Sequence, residues 1–424
     1  MSLFKVPRPA SWQACLACGE EFLESQPVTR CGCGGLLEVR HGGIGVSPAD
    51  LQAVFRTRRQ HVERGHRSGV WRYQELVLPS VSAETIVSHP EGNTPLLERV
   101  SVTSWTGLES LLMKHEGHNP TGSFKDRGMT VGVTQARRAN ARAVACASTG
   151  NTAASMAAYA AQANLPAFVL IPQGGVSVGK LAQIIAYGAT VLEVAGDFDD
   201  CLRVLEAVAP SLDIYLLNSI NPFRVEGQKT VVFDLLDQLE WDPPDWIVFP
   251  AGNLGNTAAF GKALEEAYTW GLIPRLPRLA AIQAAGAAPF AAGFREGFSR
   301  RHRVKAETIA TAIRIGNPAS WDRARVAIER TNGVVTTVTD QQILAAKHVV
   351  DHSGVGCEPA SAASIAGARR LREEGVITPH DRVVAVLTGH ILKDPDSILN
   401  DADGTKLATV EPTAEAVTRA IMTS

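Results

Sequence analysis

From about residue 91 onward the chain alternates short apolar runs with longer stretches of helical periodicity, and that rhythm predicts its architecture. The runs at 111–115, 143–147, 167–171, 190–194, 214–217, 246–249, 279–282 and 383–387 read as strands. The last is apolar throughout, as a central parallel strand would be. Between the strands, 124–138, 151–162, 180–187, 198–207 and 224–238 read as helices. Such alternation predicts a parallel α/β fold with ligand sites at the carboxyl ends of the strands. The first 80 residues break the rhythm and read as a separate extension. They hold Cys15-x2-Cys18 and Cys31-x-Cys33 among glycines, then a helical stretch at 48–67 with Arg56, Arg58, Arg59 and Arg64. Acids and apolar residues are mixed among those arginines, so a solvated face is expected rather than a nucleic-acid patch.

No charged side chain occurs between Arg142 and Lys180, but Ser148, Thr149, Asn151, Gln162, Asn164, Pro166 and Pro172 interrupt any membrane-spanning pattern. Buried strands and an alanine-rich helix are expected there instead. With 41 basic and 43 acidic residues, the chain has no general attraction for nucleic acid or anionic lipid. The start, Met-Ser-Leu-Phe-Lys-Val-Pro, lacks the apolar core of a signal peptide, and seven cysteines, an odd number, suit a reducing cytoplasm. The first cysteine pair has zinc-ribbon spacing, but the second gap is shorter than usual. The expectation is an empty ribbon with no metal.

The segment Asn119-Pro120-Thr121-Gly122-Ser123-Phe124-Lys125-Asp126-Arg127-Gly128 carries the first candidate chemistry. Pro120 and Gly122 make a turn, and Ser123 is the expected N-cap of the following helix. Lys125 then falls in the first turn, where the helix dipole disfavours an ammonium and a neutral, Schiff-base-forming amine gains. Ser148-Thr149-Gly150-Asn151-Thr152 joins a strand end to a helix start, a natural cradle for a carboxylate. Gly252-Asn253-Leu254-Gly255-Asn256-Thr257 does the same for a phosphate, with neither a Walker ending nor a dinucleotide fingerprint. Thr388 emerges at the carboxyl end of 383–387, where its hydroxyl can meet a ring nitrogen. An aldehyde-capturing lysine, a carboxylate cradle, a phosphate cup and a neutral partner for a pyridine nitrogen are what pyridoxal phosphate needs.

These segments, with Glu91-Gly92-Asn93-Thr94-Pro95, Asn218 to Lys229, Ala312 to Trp321, Cys357 to Ala363 and Leu387 to Pro395, stand in the order shown by a known family. Over about three quarters of its length the chain resembles the threonine synthases of the pyridoxal-phosphate fold type II superfamily. The Gly-Asn-Leu-Gly-Asn loop and Thr388 separate it from related dehydratases and cysteine synthases. The resemblance implies an α/β fold of two open, parallel-rich domains with the cofactor between them, plus the cysteine-containing extension. Approximate boundaries are 1–80 for the extension, 81–135 with 222–424 for the large domain, and 136–221 for a smaller mobile domain.

The resemblance also implies roles. Lys125 carries the cofactor as a Schiff base and moves protons. Asn151 bonds its phenolic oxygen, Gly252, Asn253, Leu254, Gly255 and Asn256 hold its phosphate, and Thr388 meets its ring nitrogen. Ser148, Thr149 and Thr152 hold the substrate carboxylate or its phosphate, and Asn218, Ser219 and Arg224 form a second anion pocket. For Arg224 the plain alternative is an ion pair with Glu226 or Asp234. Glu358 is expected to serve structure as much as chemistry. The implied reaction turns O-phospho-L-homoserine and water into L-threonine and phosphate, in a cytoplasmic homodimer. Another fold type II lyase, a cysteate synthase or a threonine/serine dehydratase, is the alternative. Two departures stand out: Ile391 follows His390 where the family commonly has glycine, and Val355-Gly356 replaces a bulky apolar pair.

Overall fold

The computed structural model describes residues 10–60, 67–174, 178–395 and 409–422. Residues 394–424 form a unit of their own, whose described part contains the helix Ala414–Met422; residues 1–393 form the other. In that larger unit β1 (Ser11–Cys15), β2 (Glu21–Leu23) and β3 (Leu37–His41) precede β4 (Leu96–Leu97) and β5 (Leu111–His115). Next come β6 (Ala143–Ala147), β7 (Ala167–Pro172), β8 (Thr190–Val194) and β9 (Ile214–Leu216). The last are β10 (Trp246–Pro250), β11 (Arg278–Ala284), β12 (Val334–Val338) and β13 (Val383–Leu387).

Three sheets result, ordered β2-β1-β3, β12-β11-β10-β13-β5-β4 and β8-β7-β6-β9. The first is antiparallel; the second is parallel except where β4 meets β5; the third is wholly parallel. The inner strands β6, β10 and β13 are buried on both faces, which is why they read as continuous apolar runs. Along β10, Ile247 and Phe249 enter one core and Trp246 and Val248 the opposite one. In the smaller sheet Val144 and Cys146 pack on one side, Ala145 and Ala147 on the other.

Three expectations need correction, and β12 was not foreseen. The stretch 224–238 is not one helix but two, Pro222–Gln228 and Thr230–Gln238. Asn221 caps the first by accepting from the Phe223 and Arg224 amides at 3.0 and 3.3 Å, and Pro222 sits in its first turn. The break follows because the Thr230 hydroxyl donates to the Gly227 carbonyl (2.6 Å), an acceptor that a continuing helix would use. Ser123 is not the N-cap of the lysine helix, which runs Lys125–Arg138 with Phe124 at the cap position and no capping side chain. β12 escaped notice because its Val-Val-Thr-Thr-Val sequence is half-buried at a sheet edge rather than uniformly apolar. Finally, the basic helix is described only as Pro48–Gln60, with 61–66 outside the described residues, and Arg58 on it is buried. Its guanidinium makes a two-pronged ion pair with Glu75 at 2.6 and 2.7 Å.

A close helix crossing brings Lys125–Arg138 against Pro222–Gln228. A Cβ on Gly227 would lie 1.8 Å from the Arg127 carbonyl oxygen, so only glycine permits it. That crossing sets Lys125 and Arg224 on neighbouring helices.

Candidate active site

The turn before Lys125 is fixed from below by buried charge. Arg127 donates to both oxygens of Glu116 (2.6 and 2.8 Å) and to Asp234 (2.7 Å), while Asn119 reaches Glu116 at 2.8 Å. Asp126 accepts from the Thr121 amide, the Thr121 hydroxyl and Ser155 at 2.6–2.7 Å. Burial nonetheless pushes its carboxyl up to about 6. So Asp126 organises the turn that Ser123 was expected to cap; Ser123 Oγ accepts from the Lys125 amide only at 3.4 Å. The amine of Lys125 lies 4.1 Å from the Phe124 ring centroid and makes no hydrogen bond or ion pair among the described residues. Burial, then the charge of Arg224, lowers its pKa from 10.5 to about 7, against a smaller opposing pull from Glu358.

The end of β13 is bonded directly to this turn. The Phe124 amide donates to the Thr388 carbonyl (3.0 Å), and the His390 amide to the Gly122 carbonyl (2.9 Å). Asn151, first residue of the helix Asn151–Ala163, donates through Nδ2 to Glu358 at 3.0 Å, and the Thr388 hydroxyl reaches the same carboxyl at 3.2 Å. Two donors expected to meet a phenolic oxygen and a ring nitrogen therefore converge on one buried acceptor. Burial raises the Glu358 pKa, with Asn151 and then Lys393 opposing the shift. A Cβ on Gly389 would lie 2.4 Å from the Glu358 carboxyl carbon, so glycine there makes room for it.

The two segments expected to hold anions both carry unpartnered buried polar atoms among the described residues. The helix Gly255–Thr269 begins without a side-chain cap, its preceding Leu254 in the left-handed region at φ 64°. Its first-turn amides thus have no side-chain cap, and the buried Asn256 Oδ1 and Thr257 Oγ1 have no hydrogen-bond partner among the described residues. Asn253 braces this loop, donating to Ser219 Oγ (2.5 Å) and accepting from the Ala319 amide (2.6 Å). The second cup centres on Arg224. One Nη donates to the Leu217 carbonyl at 2.9 Å, but Nε and the other Nη are buried without a partner among the described residues. Neither suggested ion pair forms, because Glu226 is engaged by His41, Lys229 and Lys262, and Asp234 by Lys114 and Arg127.

The structure joins the sequence-predicted segments one to the next. Asn218 holds both the amide and the carbonyl of Ala147 (3.2 and 3.0 Å), anchoring the start of the Ser148 loop. Its Oδ1 and one Nδ2 hydrogen thus position the cradle, leaving the second Nδ2 hydrogen as a donor. Ser148 Oγ accepts from the Gly150 amide (3.3 Å), while the Thr149 and Thr152 hydroxyls have no partner among the described residues. The unusual Ile391 and Gly356 compensate one another: a Cβ on Gly356 would sit 3.2 Å from Ile391 Cδ1, so isoleucine occupies the space left by the smaller residue. Sequence reasoning undervalued Glu358 and missed Lys114 and Glu116. Only the Cys-Glu-Pro helix start pointed to Glu358, and nothing local marked the other two as buried.

A low-pKa amine, two convergent donors, an uncapped helix start and orphaned buried polar atoms fit pyridoxal phosphate. Residues 87–389 match the family model described as pyridoxal-phosphate dependent enzyme. The fold agrees: threonine synthase from Escherichia coli superposes with a TM-score of 0.71 at 18% identity, covering 96% of this chain and 94% of that one. The chain is thus a pyridoxal-phosphate-dependent enzyme of fold type II.

The sequence relatives narrow this further. The threonine synthase of Methanocaldococcus jannaschii is 45% identical over 393 residues, 92% of this chain and 95% of the relative. That of Mycobacterium tuberculosis is 47% identical over 339 residues, 80% and 92% respectively. Within the pyridoxal-phosphate enzymes the chain belongs to the threonine synthase family.

Proposed function

We propose that the enzyme converts O-phospho-L-homoserine and water to L-threonine and phosphate. The observation that carries the substrate is Arg224, a buried guanidinium with two unpartnered donor atoms beside Lys125 and separate from the cup at Gly252 to Thr257. A dehydratase acting on serine or threonine needs no such second phosphate site. The cofactor phosphate is assigned to the amides of Gly252, Asn253, Leu254, Gly255 and Asn256, the substrate carboxylate to Ser148, Thr149 and Thr152, and the substrate phosphate to Arg224 with Ser219. Asn151 and Thr388 orient the cofactor ring, and Asn218 holds the carboxylate loop in place.

Bound pyridoxal phosphate supplies the electron sink for negative charge developing at the substrate Cα. The chain's own residues control the protons. With a pKa of about 7, Lys125 is poised near neutrality to accept the Cα proton and return protons along the chain. Phosphate departs from Cγ into the Arg224 pocket, and water adds at Cβ with its hydroxyl. With the neutral Thr388 hydroxyl facing it, the ring nitrogen would stay unprotonated, so proton placement by Lys125 would carry more of the control.

The sheet β8-β7-β6-β9 and its helices, residues 136–221, are proposed as the smaller mobile domain, with 81–135 and 222–424 as the large one. A cytoplasmic setting is supported by seven free cysteines and by the lack, among the described residues, of any helix long and apolar enough to cross a membrane. A homodimer, the assembly expected from the resemblance, is checked by light scattering on the purified protein. The deciding assay mixes cofactor-loaded enzyme with O-phosphohomoserine and follows threonine and phosphate together, with equal yields expected. Formation of 2-oxobutyrate instead, or of cysteate from phosphoserine and sulfite, overturns the reading.

A further inference from the structure

The N-terminal sheet carries a feature that the amino-acid chemistry does not use. β1 ends at Cys15, and the turn into β2 contains Cys18, closed by the Gly19 amide donating to the Cys15 carbonyl at 3.0 Å. A second hairpin, closed by the Arg30–Leu36 bridge, contains Cys31 and Cys33, with the Gly34 amide on the Cys31 carbonyl at 2.8 Å. Gly19 and Gly34 both take left-handed backbone, φ 77° and 85°. The short Cys31-Gly-Cys33 gap, which favoured an empty ribbon, is absorbed by a turn closing after three residues instead of four. That removes the objection.

The two hairpins face each other, and all four Sγ atoms lie within 4.8 Å of one another. The Cys15–Cys33 and Cys18–Cys31 pairs are each 3.5 Å apart. Four sulfurs around zinc at about 2.3 Å would be about 3.8 Å apart, inside that range. The Ala17 amide points at Cys15 Sγ (3.4 Å), the kind of N–H donor that steadies a thiolate. Gly35 passes so close that an added Cβ would sit 2.6 Å from Cys15 Sγ and 3.3 Å from Cys33 Sγ. Independently, the apolar core here, among the described residues, is Cys15, Cys31 and Leu37 with Phe22 and Val28 against it. A core that small needs a staple.

We propose that Cys15, Cys18, Cys31 and Cys33 bind one zinc ion as a closed tetrathiolate site that holds the two hairpins together. Soft thiolates favour zinc over magnesium or calcium, and a full set of protein ligands leaves no open position for catalysis. Binding displaces the four thiol protons to solvent and leaves zinc with four thiolates, a net charge of −2. The exposed Glu20, which accepts from Cys31 Sγ at 2.9 Å, turns to water once that proton is gone. The ion's effect reaches the body through β3, where His41 meets Glu226 at 2.7 Å on the helix that also carries Arg224. The other candidate metal cluster, His41, Glu226 and Glu266, is already neutralised by Lys229 and Lys262.

Elemental analysis of the full-length, cofactor-loaded enzyme purified without added metal should give about one zinc per chain. X-ray absorption should show four sulfurs at about 2.3 Å. Replacing the exposed pair together, Cys18→Ser with Cys33→Ser, should remove the zinc while the bound cofactor's visible absorbance persists, reporting a folded body. Metal-free wild-type protein, zinc retained in the double variant, stoichiometric iron, or disulfides within the four cysteines would each overturn the proposal. The wild-type measurement decides by itself should the variant fail to fold.

Discussion

Replacing Arg224 with methionine separates a substrate-binding arginine from a structural one, because the two roles predict opposite changes in stability. Burial lowers the guanidinium pKa from 12.5 to about 10. At about 1.4 kcal/mol per unit, that is roughly 3 kcal/mol against holding the charge in the fold. The folded pKa lies below the unfolded one, so the penalty is fully present at neutral pH and disappears only as pH rises past both values. Methionine removes it and gives up one hydrogen bond to the Leu217 carbonyl, which contributes about 1–2 kcal/mol. The phosphate-free variant should therefore melt at the same temperature as the parent or a few degrees higher. Two lost charge-assisted bonds to a phosphate are worth roughly 3–6 kcal/mol, so kcat/KM for O-phosphohomoserine should fall about 10²- to 10⁴-fold. Thermal shift with and without inorganic phosphate, alongside steady-state kinetics, measures both. A variant that melts lower yet keeps kcat/KM within about threefold would show Arg224 to be scaffolding and move the substrate phosphate elsewhere.

Lys125→Ala should abolish turnover while leaving circular dichroism unchanged; retained turnover removes the lysine from the chemistry. With a lysine pKa near 7, the amine form is lost below that pH, so cofactor capture by apoenzyme should rise with pH and level off above about 7. Stopped-flow absorbance rising instead toward pH 10.5 would mean an ordinary ammonium. Gly227→Ala would place a Cβ 1.8 Å from the Arg127 carbonyl oxygen and should destabilise by about 3 kcal/mol or more in urea; an unchanged midpoint contradicts the close crossing. Thr388→Val keeps the shape but loses the hydroxyl, and should weaken cofactor retention about tenfold by equilibrium dialysis; unaltered retention takes Thr388 away from the ring.

The strand 383–387 was legible to the residue because burial on both faces leaves an uninterrupted apolar run. The Lys125, Ser148 and Gly252 segments were legible because strand-end glycines and hydroxyls are local signals of a ligand-facing turn. What escaped depended on distant partners. The break at Gly227–Thr230 comes from the Thr230 hydroxyl taking the Gly227 carbonyl, and the crossing that requires glycine there has its partner, Arg127, a hundred positions away in a helix of its own. Arg58 turns inward because Glu75 waits there, although its neighbours on the same helix read as solvated. Glu358 carries an ordinary surface residue's identity, and only the convergence of Asn151 and Thr388 on its carboxyl marks it. The cysteine gap misled for another reason: spacing counts residues, whereas sulfur separation depends on how tightly the turn closes.

The buried lysines make the same point about chemistry. Lys114 gives its three hydrogens to the Thr94 carbonyl, Asp234 and Gln238 at 2.7, 2.9 and 2.8 Å. Lys229 faces Glu226 and Glu266 at 2.5 and 2.7 Å. Burial lowers the pKa of both, but carboxylates oppose the shift and the ammonium has acceptors for its protons. These two lysines hold the scaffold, Lys114 beneath the catalytic turn and Lys229 behind the Arg224 helix. Lys125 is desolvated too, yet no acceptor lies within hydrogen-bond reach, its carboxylate neighbour Glu358 is engaged by Asn151 and Thr388, and Arg224 repels it. Under the proposed roles Arg224 would act twice: it depresses the free amine of the cofactor-free protein, and a phosphate bound to it, once substrate has displaced Lys125 from the cofactor, would neutralise that repulsion. Substrate binding should then raise the basicity of Lys125 at the moment a proton must be taken from Cα, which couples phosphate recognition to the readiness of the base.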